Sequence, residues 1–251
     1  MSYIKPPKSL LHKAGTAIAD YDMIQPDDRI LLGLSGGKDS LSLLHILLHL
    51  QKHAPISFEV GAVTVDPQSD AFDPSALIPY LKGLGVPYFY QSEPILELAD
   101  KHMDNNSFCA FCSRMKRGII YSTARKNNYN VIALAQHLDD LAESFMMSAF
   151  HGGKLNTMKA HYVIDKGDLR VIRPLVYVRE RQTQDFAEHA GLPVIPENCP
   201  ACFDMPTQRF YFKQLLNKEE KINPNVYKSL LSAMRPLMNK SSPSDIATPS
   251  E

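Results

Sequence analysis

No stretch of this chain is apolar for long enough to cross a bilayer. The most Leu-rich run, residues 41–50, is interrupted by His45 and His49, whereas a spanning helix needs about 20 consecutive apolar residues. The opening MSYIKPPKSLLHKAG likewise has no apolar core behind its lysines, so neither a secretory signal nor a membrane anchor is expected and a cytoplasmic location is. Net charge is missing too, since 27 Lys and Arg face 27 Asp and Glu. Any nucleic-acid surface must therefore be a local patch, not a property of the whole chain. No internal repeat is present. With 251 residues, 44% of them hydrophobic, the chain can bury one large α/β core with appendages but not two large domains.

What is present begins at residues 31–44, LLGLSGGKDSLSLL, where Ser-Gly-Gly-Lys-Asp-Ser separates two Leu-rich runs. Residues 29–34 read as a short buried strand and Leu41 onward as a helix, so the interruption is a strand-to-helix turn. The first amides of a helix lack intrahelical partners and favour an anion. Gly36 and Gly37 permit positive φ and let a ligand approach the backbone. Lys38 adds a positive charge, and the expected anion is phosphate. Leu32 and Asp39 stand where the loop of common nucleotide hydrolases requires Gly and Ser or Thr, which excludes that loop. The stretch instead resembles the pyrophosphate loop of the ATP pyrophosphatase (PP-loop) superfamily, whose members split ATP between the α and β phosphates and adenylate a substrate.

Strand and helix patterns then alternate. Residues 56–66, 86–91 and 130–135 read as strands, residues 74–85 as a helix ended by Gly85, and helices are expected after residue 112 and from Asp139 to about Phe150. That order predicts an α/β fold, a parallel sheet with helices on both faces. Ligands of such sheets sit at the carboxyl ends of the strands, where Ser35, Asp66 and His137 would converge. A catalytic domain is expected over residues 25–238, with residues 1–24 as an N-terminal extension and residues 239–251, polar and poor in apolar content, as a disordered tail.

The four cysteines form two Cys-x-x-Cys pairs, Cys109 with Cys112 and Cys199 with Cys202, which points to ligation. Metal knuckles commonly separate their pairs by roughly 15–20 residues, so here the fold must bring distant pairs together. A structural zinc, a dithiol redox pair and an iron–sulfur cluster all suit such thiols.

The resemblance becomes specific when the loop is taken with FCAFCSRMKRG, HLDDLAESFMMSAFHGGKLNTM, VIRPLVYVRERQTQDFAEHAGLPVIP and ENCPACFDMP. Together they are similar to the tRNA 2-thiocytidine synthetase family over residues 25–235, with a departure at Ala135-Gln136, where Gly-His is common. The resemblance implies the adenine nucleotide alpha-hydrolase-like (PP-loop) fold. It also implies ATP-dependent replacement of the 2-oxygen of an anticodon-loop cytidine by sulfur, with a [4Fe-4S] cluster on three cysteines, tRNA as partner, a cysteine desulfurase as sulfur source and a homodimer. By order in the motif, Cys109, Cys112 and Cys202 are the expected ligands, with Cys199 a fourth ligand or a spare thiol.

Individual residues acquire expected roles. Ser35, Gly36, Gly37, Lys38 and Ser40 would hold the phosphates, with Asp66 and His137 completing the nucleotide site. Asp39, with Asp139 or Asp140, would hold Mg²⁺, a hard ion suited to carboxylates and phosphates. Lys116, one turn beyond Cys112, would polarise the base carbonyl. Arg114, Lys116, Arg117, Lys154, Lys159, Arg179 and Arg181 would contact tRNA. His45, His49 and His53 have helical spacing but lack the acidic residue of a zinc-protease helix, and Phe145, Met146, Met147 and Phe150 read as core. The competing classes are an amine- or ammonia-using PP-loop enzyme, such as a lysidine synthetase, a 2-thiouridine synthetase with structural zinc, and a zinc module that binds RNA without catalysis.

Overall fold

The computed structural model describes residues 2–69, 72–95, 97–98, 108–195 and 207–239, with the backbone alone for 108–110. Its strands are β1 (Asp28–Gly33), β2 (Phe58–Asp66), β3 (Tyr88–Ser92), β4 (Val131–Ala133), β5 (His161–Val163) and β6 (Arg170–Ile172). They form one sheet in the order β3-β2-β1-β4-β6-β5. All neighbours pair in parallel except β5, which runs antiparallel to β6. The expected parallel sheet is present, with an antiparallel strand added at that edge. Three-residue strands joined across Gly167, at φ +74°, are too short to show a period-two pattern.

The helices are α1 (Lys8–Asp20), α2 (Lys38–His53), α3 (Leu77–Leu84), α4 (Phe108–Lys126), α5 (Leu138–Gly152), α6 (Glu180–His189), α7 (Gln208–Ile222) and α8 (Val226–Met238). Side chains alternate across β1, so Ile30 and Leu32 enter one core while Leu31 enters the other. On the first face they meet Leu41 and Leu44 of α2, Leu77 of α3, Leu141 of α5 and Phe186 of α6. On the second, Leu31 joins Val63, Ile132 and Val171 under Ile120 and Ala124 of α4. Helices therefore cover both faces, as a largely parallel sheet requires.

Several boundaries differ from the pattern reading. Helix α2 starts at Lys38, before the apolar periodicity begins, because its first turn is the polar Lys38-Asp39-Ser40. Helix α4 starts at Phe108 rather than after residue 112, so Cys109 and Cys112 both lie on it. Helix α1 lies in the expected N-terminal extension, yet its Leu10, Ala14 and Ala17 are buried in the first core. Phe145 and Met146 pack against that core, but Phe150 is 63% exposed and meets Phe212 edge-on. Of the expected tail, residues 240–251 lie outside the described residues. Among the described residues no helix is long and apolar enough to cross a membrane.

Candidate active site

At the carboxyl ends of the strands the sheet opens into a cleft of about 1080 Å³. Its floor is the turn between β1 and α2. Gly36 takes φ +85°, and a Cβ there would lie 2.5 Å from Ile195 Cδ1. Both facts demand glycine. Ile195 N donates to Gly36 O at 2.9 Å, fastening the turn from above. Gly37 N donates to Ser35 Oγ at 3.2 Å, and Ser40 Oγ donates to Gly37 O at 2.9 Å. No side chain caps α2, and the residues of its first turn, Lys38, Asp39 and Ser40, line the cleft.

Lys38 Nζ lies 3.1 Å from both Asp39 Oδ2 and Glu180 Oε1. Burial works against its charge, but the two carboxylates outweigh that and hold its pKa above the ordinary lysine value. Glu180 is likewise opposed by burial, yet Lys213 and Lys38 bring it down to about 2. Thr183 Oγ1 donates to the other oxygen of Asp39.

His137 caps α5: its Nδ1 accepts from Asp140 N at 3.3 Å, while its own N donates to Asp140 Oδ2 at 3.0 Å. Acceptance at Nδ1 leaves the proton of the neutral ring on Nε2, 3.7 Å from Asp39 Oδ2. The adjacent aspartates diverge. Asp139 is buried, with Oδ1 accepting from Arg179 Nε at 3.0 Å and Oδ2 from Glu180 N at 2.7 Å. Both its oxygens are engaged in structure, so it is Asp140 that lines the cleft. The same contacts correct the placing of Arg179 on a tRNA surface. It is 8% exposed, bonded to Asp139 and to both oxygens of Glu220, with its guanidinium 3.3 Å from the Tyr227 ring centroid. Asp66, at the end of β2, accepts from Gln68 N at 2.7 Å and from the Tyr90 hydroxyl, outside the cleft lining.

The opposite wall is α4, which presents Ser113, Lys116, Arg117 and Ile120 to the cleft. Cys112 is half-buried and packs against the second core. Cys109 lies on the first turn of the same helix, its side chain outside the described residues, as are Cys199 and Cys202. Lys154 and Arg181 are exposed, and Lys159 is half-buried. His45 is buried, its ring bonded to Tyr80 Oη at 2.6 Å and to Ile4 N at 3.0 Å, and burial lowers its pKa to about 4.

Five charged cleft residues carried no expectation. Glu143, on the α5 turn after Asp140, is 3% exposed and is pushed up to about 7 by burial, with Arg209 3.2 Å away opposing the shift. Its three-residue spacing from Asp140 could have revealed it. Arg173 follows β6 and is fixed by Gln136 Oε1 at 2.8 Å and Lys159 O at 2.6 Å. A recognised strand there would have placed it at a carboxyl end. Glu180, Arg209 and Lys213 had no local signal.

The sequence matches the PP-loop domain family over residues 10–198. It is 39% identical to the tRNA-cytidine(32) 2-sulfurtransferase of Geobacter sulfurreducens, over 90% of this chain and 89% of that one. It is 41% identical to the enzyme of that name from Vibrio cholerae, over 91% and 74%. Among solved structures it is similar to the U34-tRNA thiolase NcsA from Methanococcus maripaludis with its [4Fe-4S] cluster, at TM-score 0.76 and 22% identity, over 92% and 78% of the two chains. At that identity the likeness establishes the fold.

Proposed function

The chain belongs to the tRNA-cytidine 2-sulfurtransferase family of PP-loop proteins, and from that premise we propose how its residues divide the work of thiolating cytidine 32 of the anticodon loop. It is an ATP-dependent tRNA sulfurtransferase. A pyrimidine carbonyl oxygen is a poor leaving group and must first be activated. The cytidine O2 attacks the α-phosphorus of ATP, the bond to the β-phosphate oxygen breaks, and pyrophosphate departs. Sulfide, already at the oxidation level of the thiocarbonyl, then bonds to C2 through a lone pair and loses its proton, and AMP leaves with the original oxygen.

The observation that supports this reading is the meeting, in one cleft, of Lys38 and Asp39 with Lys116 and Arg117 of α4, the helix that carries Cys109 and Cys112. The first amides of α2, with Ser35, Gly36, Gly37 and Ser40, take the phosphates. Lys38 exchanges Glu180 for a phosphate oxygen and stabilises charge on the departing pyrophosphate. Asp39 and Asp140 would hold Mg²⁺, which would neutralise charge on the phosphates, and His137 orients both carboxylates. Lys116 polarises the C2–O bond of the base as sulfur adds to C2.

The donor chemistry fits an iron–sulfur cluster. All four cysteines are soft thiolate donors in two pairs, and Cys109 and Cys112, three residues apart on α4, share a helix face. Cys109, Cys112 and Cys202 would hold it, with Cys199 a fourth ligand or a spare thiol. Held by three cysteines, the cluster would supply a place for sulfur before its transfer. A cysteine desulfurase is the sulfur source, its persulfide sulfur being released as sulfide by a thiol reductant, and the protein works as a homodimer.

Nucleoside mass spectrometry of tRNA from cells lacking the protein tests the reading. Loss of 2-thiocytidine is expected while 4-thiouridine and the wobble thiouridines persist. Purified protein, ATP, Mg²⁺ and sulfide should restore it. Unchanged 2-thiocytidine would overturn the assignment.

A further inference from the structure

Helix α4 presents basic and aromatic side chains on a second side, away from the cleft. A groove of about 370 Å³ runs there, with Arg114, Arg117 and Tyr121 on α4 facing Tyr162 of the edge strand β5 and Asp165 just beyond it. Residues 114, 117 and 121 form one helical stripe, and the cleft-lining residues 113, 116, 117 and 120 form the next. Arg117 borders both spaces. The partition between them is thin: Arg173, which lines the cleft, has its guanidinium 5.5 Å from the Tyr162 ring centroid. Across the groove the hydroxyls of Tyr121 and Tyr162 stand 3.4 Å apart. Both rings are half-buried and Arg114 and Arg117 are exposed.

An enzyme that modifies a base in a loop must hold that base apart from its neighbours. Unstacked bases are received by aromatic side chains, and the linking phosphates by arginines. The groove offers both kinds of group one side chain away from the cleft, and its volume lies near the small end of ligand pockets, suited to one nucleotide and not to a duplex. Asp165 repels a second phosphate but can accept from an exocyclic amino group. We propose that this groove is a second RNA subsite, holding a nucleotide adjacent to the cytidine under modification, its base against Tyr162 and Tyr121 and its phosphate against Arg114 and Arg117. The proposal rests on the reading that the substrate is tRNA.

Binding of labelled full-length tRNA, followed by fluorescence anisotropy, tests it. Two further tRNAs carry an abasic ribose in place of one or the other neighbour of cytidine 32. The wild-type protein should bind one abasic tRNA roughly tenfold more weakly than the intact one, the scale of a lost base–aromatic stack. Tyr162→Leu should bind intact tRNA with the same loss and cease to distinguish the two, whereas Tyr162→Phe should behave as wild type. Arg114→Gln should reduce the slope of log affinity against log salt by about one. Wild-type affinity in Tyr162→Leu, an equal loss in Tyr162→Phe, or indifference of the wild type to both abasic sites would overturn the subsite and leave tRNA thiolation standing. Failure of the wild type to bind intact tRNA would overturn the functional reading as well, so the intact tRNA alone separates the two failures.

Discussion

Lys38 Nζ sits 3.1 Å from Glu180 Oε1, and Lys213 Nζ lies 2.7 Å from the other oxygen of the same carboxylate. Lys38 is thus paired with a residue 142 positions further along the chain, and that residue is gripped in turn from α7. Loop, α6 and α7 form one electrostatic unit that fixes the position of the lysine charge.

Removing that charge should stop the first chemical step without unfolding the protein, because Glu180 keeps Lys213. Lys38→Ala is expected to lower formation of AMP and pyrophosphate at least about a hundredfold, the scale of a lost donor at a developing oxyanion. Separation of the labelled nucleotides checks this, and ADP as the ATP product would contradict it.

Gly36 and Ile195 supply a packing test. Gly36→Ala meets two costs, a left-handed φ and a Cβ 2.5 Å from Ile195 Cδ1, and is expected to destabilise by about 1–3 kcal/mol. Ile195→Ala relieves only the second, so in a double-mutant cycle by urea unfolding the pair should cost less than the two singles added. Simple additivity would mean that the turn escapes the contact by moving.

Much of this site is legible in the sequence because it is local. The Ser-Gly-Gly-Lys-Asp-Ser turn, His137 at the start of α5 and Gly85 after α3 are each marked by neighbours within a few residues. Glu180, Arg209 and Lys213 are not. They are ordinary charges until the fold carries them to the cleft. Arg179 misleads for the same reason: a basic residue in a polar stretch reads as surface, and only the tertiary structure buries it between Asp139, Glu220 and Tyr227. Adjacent residues on a helix point about 100° apart, so an Asp-Asp pair announces a site without saying which carboxylate faces it.

Glu143 should make stability depend on pH. Burial raises it to about 7, against an ordinary value of 4.5. Between those values the folded protein keeps a proton that the unfolded chain has released, so stability falls as pH rises from 4.5 to 7 and levels off above. The loss is at most about 3 kcal/mol. Glu143→Gln should lack it, and urea unfolding at pH 5 and pH 8 in metal-free buffer should show the variant gaining on wild type at the higher pH. Parallel pH profiles would show that Glu143 ionises normally.

The cysteines allow the sharpest separation of chemistries. A zinc site closed by four thiolates has no position left for sulfur, whereas a cluster on three thiolates has one. Protein purified without oxygen is therefore expected to be brown, with stoichiometric iron and sulfide and a colour that bleaches in air. Cys112 is half-buried, so Cys112→Ser, nearly isosteric, should keep the circular dichroism of the wild type while losing most of the iron. Cys109→Ser should do the same, since both thiols lie on α4 and leave a donor set of two when either is removed. Cys199→Ser should retain its iron if Cys202 is the third ligand, and Cys202→Ser should not. Stoichiometric zinc in an anaerobic, iron-replete preparation would exclude the cluster and return these thiols to a structural role.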